Sequence, residues 1–253
     1  MKRACTVCLF LITAHFGHSQ MLGIDRPFRM WNNYADALSN PDATEQQIFA
    51  NSGKNKSDPS DDRISVSRLR HKVPRKALSA FLHGVDLAGA GNVRSAAKEF
   101  ERAVMLDPEC SEAHGNLGVT YLDLGALDRA VDEFRLAVHL DPSGSFHHAN
   151  LALALILLNL PSEAELEAKA AFDLDHSNVK ARYLLGSLLA RNPETRSRAA
   201  EHLTYAAQQL PDAHMILADM YRMEGAEALA QMEQERYRRA TLDSTKAQQM
   251  PWR

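Results

Sequence analysis

The chain shows two different patterns of apolar and polar residues. Residues 20–63 have no sustained period, whereas from residue 77 onward apolar side chains recur every three to four positions, as on one side of a helix. The clearest stretch has one stripe at His114, Leu117, Gly118 and Tyr121 and a second stripe at Ala130, Phe134 and Ala137. Gly125 interrupts the period between the two stripes. The pattern predicts two antiparallel helices joined by a short turn.

This pair of helices is repeated along the chain at one constant spacing, which is the interval from Gly84 to Gly118. The matching sets are Gly84 and Gly118; Ala96, Ala130 and Ala164; Phe100 and Phe134; Ala103, Ala137 and Ala171; Leu106, Leu140 and Leu174; and Pro108 and Pro142. A single helix pair cannot bury its apolar side alone, so neighbouring pairs must stack. The repeat therefore predicts an all-α fold in which each pair packs on the next.

At these positions the chain resembles the tetratricopeptide repeat (TPR) family, whose pattern is Leu-Gly, Tyr, then Ala, Phe, Ala and a closing Pro. Five units cover about residues 77–110, 111–144, 145–178, 179–211 and 212–241. The third unit replaces Gly and Phe with Ala152 and Ala168, and the fourth has one extra residue in its turn. The resemblance implies a right-handed α-solenoid, and the polar second helix of unit five is typical of a terminal cap.

Members of this family present the first helix of each unit on a concave side and commonly bind peptides there. The resemblance therefore implies a groove lined by Asn116, Val119, Leu122, Asn150, Leu153, Ile156, Leu157, Lys180 and Arg222. Asn116 and Asn150 occupy equivalent positions, and their amides can bind an extended peptide backbone or serve the packing of the repeat. The family's carboxylate clamp is not expected, since Phe81, Val85 and Gly115 stand at the matching early positions.

Residues 1–19 have the layout of a secretory signal peptide. Lys2 and Arg3 precede an apolar run from Ala4 to Ala14, and Gly17-His18-Ser19 follows with small residues at its first and third positions. This run is shorter than the roughly 20 apolar residues that span a bilayer. We expect export to the periplasm or the cell exterior, with cleavage after Ser19; an uncleaved anchor is the alternative.

Residues 20–76 are polar and are predicted to be mostly disordered, and residues 242–253 are expected to form a flexible tail. Phe28, Trp31 and Tyr34 place bulky groups close together in the first of these segments. They either dock on the repeats or bind another molecule. The basic residues between 63 and 76 have no interleaved aromatic side chains, so we interpret them as a solvated lead-in and not as a nucleic-acid site.

Composition and motifs argue against an enzyme. Lys and Arg (29) nearly balance Asp and Glu (32), so no global field directs nucleic acid to the chain. Cys5 and Cys8 lie in the stretch predicted to be removed, and no metal or cofactor motif remains. His114, His148 and His214 fall at a packing position of the repeat and are interpreted as partly buried spacers. Ser177 precedes a helix and is predicted to cap it.

The sequence thus predicts a non-catalytic, exported scaffold or adaptor that binds a protein or peptide in its groove. No cofactor, metal or nucleic-acid partner is expected, and the mature chain is predicted to have no transmembrane span. The alternative is a structural component that self-associates within a cell-envelope assembly. A third hypothesis is an autoinhibited module in which Phe28, Trp31 and Tyr34 lie in the groove.

Overall fold

A computed structural model of the chain describes residues 73–249, of which residues 243–249 are described only as helix backbone. All described residues lie in the second of two units into which the chain divides, Asn55–Arg253. The predicted signal peptide, the cluster of Phe28, Trp31 and Tyr34 and the polar segment up to residue 72 lie outside the described residues. These remain predictions.

The described part of the chain contains ten α-helices, one 3₁₀ turn and no strand. The helices are α1 (Arg75–Gly89), α2 (Val93–Leu106), α3 (Ser111–Asp123), α4 (Leu127–Leu140), α5 (Ser145–Leu157), α6 (Pro161–Leu174), α7 (Val179–Leu189), α8 (Arg196–Ala206), α9 (Asp212–Met223) and α10 (Glu227–Gln249). Each odd-numbered helix packs against the helix that follows it, and each pair packs against the next. The first helices α3, α5, α7 and α9 also contact one another in succession. This arrangement confirms the predicted solenoid of five helix pairs.

Small residues on the first helices allow the two helices of a pair to approach closely. A Cβ atom added to Gly118 would lie 2.6 Å from the ring of Phe134, which is fully buried. The third repeat has a larger residue and a smaller one at the same two positions, Ala152 and Ala168, and both are fully buried. The glycine is therefore needed where the second position holds a phenylalanine ring, and an alanine fits where the second residue is small.

The turns inside the pairs follow the predicted glycines. Gly125 has φ +73°, a left-handed conformation that glycine adopts without steric cost. In the third repeat Asn159 takes this place with φ +59°, and asparagine is among the few other residues that tolerate it. The fourth repeat instead forms a 3₁₀ turn over Pro193–Thr195, which accommodates its extra residue.

The prediction that Ser177 caps a helix is wrong by one residue. The side chain of Asn178 accepts a hydrogen bond from the backbone N–H of Ala181 at 3.0 Å, so Asn178 is the N-cap of α7. The hydroxyl of Ser177 instead donates to Asp175 at 2.6 Å. Only the N-cap residue is placed to reach the free N–H groups of the first turn.

The last helix, α10, is described to Gln249, beyond residue 241 where the predicted solenoid ends. Ala230 is fully buried at the repeat position of Ala130, whereas Leu229 and Met232 are about two-fifths exposed. The helix therefore completes the fifth pair and leaves apolar side chains in contact with solvent. The limits proposed for the domains remain predictions.

Candidate functional site

The residues predicted to line the groove all lie on first helices. Asn116, Val119 and Leu122 are on α3; Asn150, Leu153, Ile156 and Leu157 are on α5; Lys180 is on α7; and Arg222 is on α9. Because these helices contact one another in succession, they form one continuous layer. We call the part of this layer built by α3, α5 and α7 the first-helix face.

The apolar residues of the first-helix face are incompletely covered. Val119 and Leu153 are buried, whereas Leu122, Ile156 and Leu157 are half-buried. Partly exposed apolar side chains that lie close together are a common feature of binding surfaces. The face therefore offers an apolar floor with polar groups next to it.

The most unusual polar group on this face is the amide of Asn150. The side chain of Asn150 is buried, and its Oδ1 accepts a hydrogen bond from Lys180 Nζ at 2.5 Å. Its Nδ2 is buried and has no hydrogen-bond partner among the described residues. An unsatisfied buried donor costs about 1–3 kcal/mol. An incoming acceptor, such as a carbonyl or carboxylate oxygen, would remove this cost.

Asn116 occupies the equivalent position one repeat earlier but has different surroundings. Its Nδ2 donates to the backbone oxygen of Glu112 at 2.8 Å, within its own helix. For Asn116 this contact favours the interpretation that the amide serves the packing of the repeat. The structure therefore distinguishes two asparagines that the sequence pattern treats as equal.

Phe146 is a residue of this face that the sequence analysis missed. It stands one repeat length before Lys180, so it holds the same repeat position, and half of it is exposed at the start of α5. A large exposed aromatic residue on a first helix is a suitable contact for an apolar side chain of a ligand. The repeat spacing was sufficient to find it, because it assigns Phe146 to the position of Lys180.

The charges on the face influence one another across α5. Burial lowers the pKa of Lys180 to about 8, and Asp123 on α3 opposes this shift. Burial also raises the pKa of Asp123 to about 6, and Lys180 opposes that shift in turn. The two groups are thus an interacting pair of opposite charge, with Asn150 bonded to the lysine.

Arg222 lies apart from this arrangement in its contacts. It is exposed near the end of α9 and donates to Asp219 of the same helix at 2.6 Å. An exposed pair of this kind contributes little to stability and leaves both groups hydrated. Of the two basic residues predicted to line the groove, Lys180 is therefore the one whose side chain is bonded to the first-helix face.

The described residues offer no candidate site for metal or redox chemistry. Within residues 73–249, His, Cys, Asp and Glu side chains form no group of three that could hold a metal ion. Cys110 is a buried free thiol, and burial raises its pKa above the usual range of a cysteine. No helix in this part of the chain has the length and apolar character needed to cross a membrane.

Comparisons with known proteins agree with the repeat pattern. A family model described as tetratricopeptide repeat matches residues 81–145. The chain is similar in structure to MamA, with 19% identity over 64% of this chain and 96% of that chain and a TM-score of 0.55. It is also similar to a thermophilic TPR protein of Thermus thermophilus, with 22% identity, coverage of 66% of this chain and 99% of that chain, and a TM-score of 0.52.

A third similar structure is YrrB, described as a TPR protein with an unusual peptide-binding site. Its identity is 19%, the coverage is 64% of this chain and 84% of that chain, and the TM-score is 0.52. None of the curated proteins matches the chain. At these identities the likeness establishes the fold alone: the described repeats form an α-solenoid of helix pairs like those of the similar structures.

Proposed function

We propose that this chain is a non-catalytic scaffold that binds an extended segment of a protein or peptide along the first-helix face. The observation that carries the proposal is the unpartnered Nδ2 of Asn150 next to Lys180. A solenoid with a free buried donor, an ammonium group and an apolar floor on one layer of helices has the features of a peptide site. Solenoids of this fold are commonly interaction scaffolds, and one similar structure is described as having a peptide-binding site.

The chemistry of the site defines the ligand. Asn150 Nδ2 would donate to a backbone carbonyl or a carboxylate oxygen, and Lys180 favours a negative charge close by. Leu153, Ile156 and Phe146 would cover apolar side chains of the ligand. We expect an extended peptide with an acidic group between apolar residues, and we propose that binding occurs outside the cytoplasm, which the predicted signal peptide supports.

Selection from a displayed peptide library tests the proposal with the full chain as bait. We expect selected peptides to share an acidic residue flanked by apolar ones. Replacing Asn150 by Leu or Lys180 by Met should weaken their binding at least about tenfold, which corresponds to the loss of one or two hydrogen bonds to a charged group. Isothermal titration calorimetry measures the affinity, and circular dichroism verifies that each variant is folded.

Two matched variants serve as controls. Asn116→Leu changes the same residue type one repeat earlier, where the amide is bonded within its own helix, so its effect should be smaller. Lys98→Met removes an exposed lysine on the second helix α2 and should leave the affinity unchanged. Equal affinities for the wild type and the folded Asn150→Leu and Lys180→Met variants would contradict the proposed site.

Self-association is a second candidate, and the exposed apolar side chains of the last repeat favour it. Met223 is 60% exposed, and Leu229 and Met232 are each more than 40% exposed. Two copies that cover these side chains would bury apolar surface. Light scattering at increasing concentration should then give a rising mass for the wild type and a constant monomer mass for Met232→Glu. A wild type that stays monomeric at tens of micromolar contradicts this candidate.

A further inference from the structure

Three of the five repeats contain the same partly buried ion-pair geometry between their two helices. A histidine on the first helix lies within hydrogen-bond distance of a glutamate on the second helix, at the same separation along the chain in each case. The pairs are His114–Glu133, His148–Glu167 and His214–Glu233, with Nδ1 to Oε2 distances of 2.7, 2.6 and 2.6 Å. We call each of these pairs a histidine clasp. The same pair therefore recurs at one position of the repeat in three of the five units.

The other ring nitrogen of two clasps also faces an acceptor. Nε2 of His114 lies 3.1 Å from the backbone oxygen of Pro108, and Nε2 of His148 lies 3.1 Å from that of Pro142. Both prolines belong to the loop that enters the repeat. A neutral imidazole donates from one nitrogen only, whereas the imidazolium donates from both. The doubly protonated form is therefore the one that satisfies both contacts.

In the fourth repeat an arginine, which carries a permanent positive charge, stands at the position of the clasp histidine. Its contact supports the assignment of the doubly protonated imidazole. Arg182 stands one repeat length after His148, and its Nε donates to the backbone oxygen of His176 at 2.6 Å. His176 is the counterpart of Pro142, so arginine and histidine bind the same carbonyl position in their repeats. His202 stands where the clasps have glutamate, and burial together with Arg182 and Arg198 lowers its pKa. A side-chain nitrogen at the first position, close to the same loop carbonyl, is thus common to these repeats.

The charged groups around His148 come from two packed elements. Glu167 is on α6, and Asp141 is in the loop that follows α4; both raise the pKa of His148, and burial opposes them. Around His114 the corresponding groups are Glu133 on α4 and the buried Asp107 in the loop after α2. The clasps of His114 and His148 therefore each join the first helix of a repeat, its second helix and the loop from the preceding repeat.

We propose that the clasp of His148 forms a pH-sensitive device that secures the first turn of α5. With the imidazolium present, this clasp ties three segments together. Once the proton is lost, one of the two contacts places a lone pair against an acceptor, and the first turn of the helix loosens. The device acts on α5 whether or not the first-helix face binds a peptide.

The direction of the pH effect follows from His148. The pKa of His148 is raised in the folded chain above its usual value near 6.5. Its contribution to stability is therefore fully present below about pH 6.5, the unfolded pKa, and is lost as the pH rises through the folded pKa. The clasp of His148 is therefore formed under mildly acidic conditions and lost under alkaline ones.

Hydrogen exchange of the full chain between pH 6 and pH 8.5 tests the proposal after correction for the intrinsic exchange rate. We expect protection of the first turn of α5 to fall with rising pH, by up to about tenfold for each unit by which the folded pKa of His148 exceeds the unfolded one. The Glu167→Gln variant is the control, because it removes the carboxylate of the clasp and leaves every other titratable group in place. An equal pH response of α5 in the wild type and in this variant overturns the proposal.

Nuclear magnetic resonance titration of the histidine side chains provides the second measurement. His148 should titrate above 6.5, and the Glu167→Gln variant should lower that value and flatten the pH response of α5. Glutamine can still accept from a neutral imidazole, so the fold should persist in this variant. His139→Gln, at an exposed site on α4, should change neither measurement. A titration of His148 at or below 6.5 overturns the proposal.

Discussion

Glu99 shows how one substitution within a repeat creates an open site. It stands at the repeat position of Glu133 and Glu167, but Ala80 stands where the clasps have histidine. Its carboxylate lies 3.5 Å from Nη1 of Arg102 and 3.6 Å from Nδ1 of His83, both well beyond the clasp distances. A cavity of about 190 Å³ lies here, lined by Lys76, Ser79, Ala80, His83, Glu99 and Arg102. The first repeat thus keeps half of a clasp.

We predict that Ala80→His completes this clasp. The imidazole should fill the cavity and bond to Glu99, raising the free energy of unfolding by about 0.5–1.5 kcal/mol at pH 6, with a smaller gain at pH 8. Urea unfolding of both proteins at the two pH values measures the change. Ala80→Leu fills the same space without a hydrogen bond and is the matched control. If Ala80→Leu raises the free energy of unfolding as much as Ala80→His does at both pH values, the pairing of the new histidine with Glu99 contributes nothing to stability.

At the scale of the helix pair, the sequence predicts the fold well because close packing leaves a regular trace. The constant repeat spacing locates each pair, since Gly118 and Ala130 must be small where the helices touch and Phe134 must fill the space beside them. Gly125 and Asn159 mark two of the turns, because few residues adopt a positive φ. These features are local and can therefore be predicted directly from the sequence.

The contacts of polar side chains were harder to predict because they depend on neighbouring repeats. Asn116 and Asn150 share a position, but the amide of Asn150 is bonded to Lys180, whereas the equivalent of that lysine next to Asn116 is Phe146. The cap of α7 was misassigned because Ser177 and Asn178 are both good capping residues and only the backbone decides between them. Periodicity alone does not determine which acceptor a side chain reaches.

At the scale of the described solenoid, stability is shared between neighbours. The first helix α9 contacts α8 and α7, so the fifth pair covers surface of the fourth. Repeat arrays of this kind gain stability at each interface, and a repeat that loses a neighbour loses part of that stability. The last pair, α9 and α10, therefore covers the fourth pair through α9. The more polar sequence of α10 suits a helix with one side in solvent.

We predict that removing residues 212–253 destabilises the chain in a graded way. Hydrogen exchange should show the largest loss of protection in α7 and α8, a smaller loss in α5 and α6, and the least in α1 and α2, because coupling passes between adjacent repeats. A shorter deletion of residues 244–253 leaves α9 and most of α10 in place and is the control. A uniform loss along all the helices would mean that the repeats unfold as one cooperative unit, and nearest-neighbour coupling would then be rejected. A graded loss would mean that α3 and α5 keep more of their protection than α7 when the terminal pair is absent.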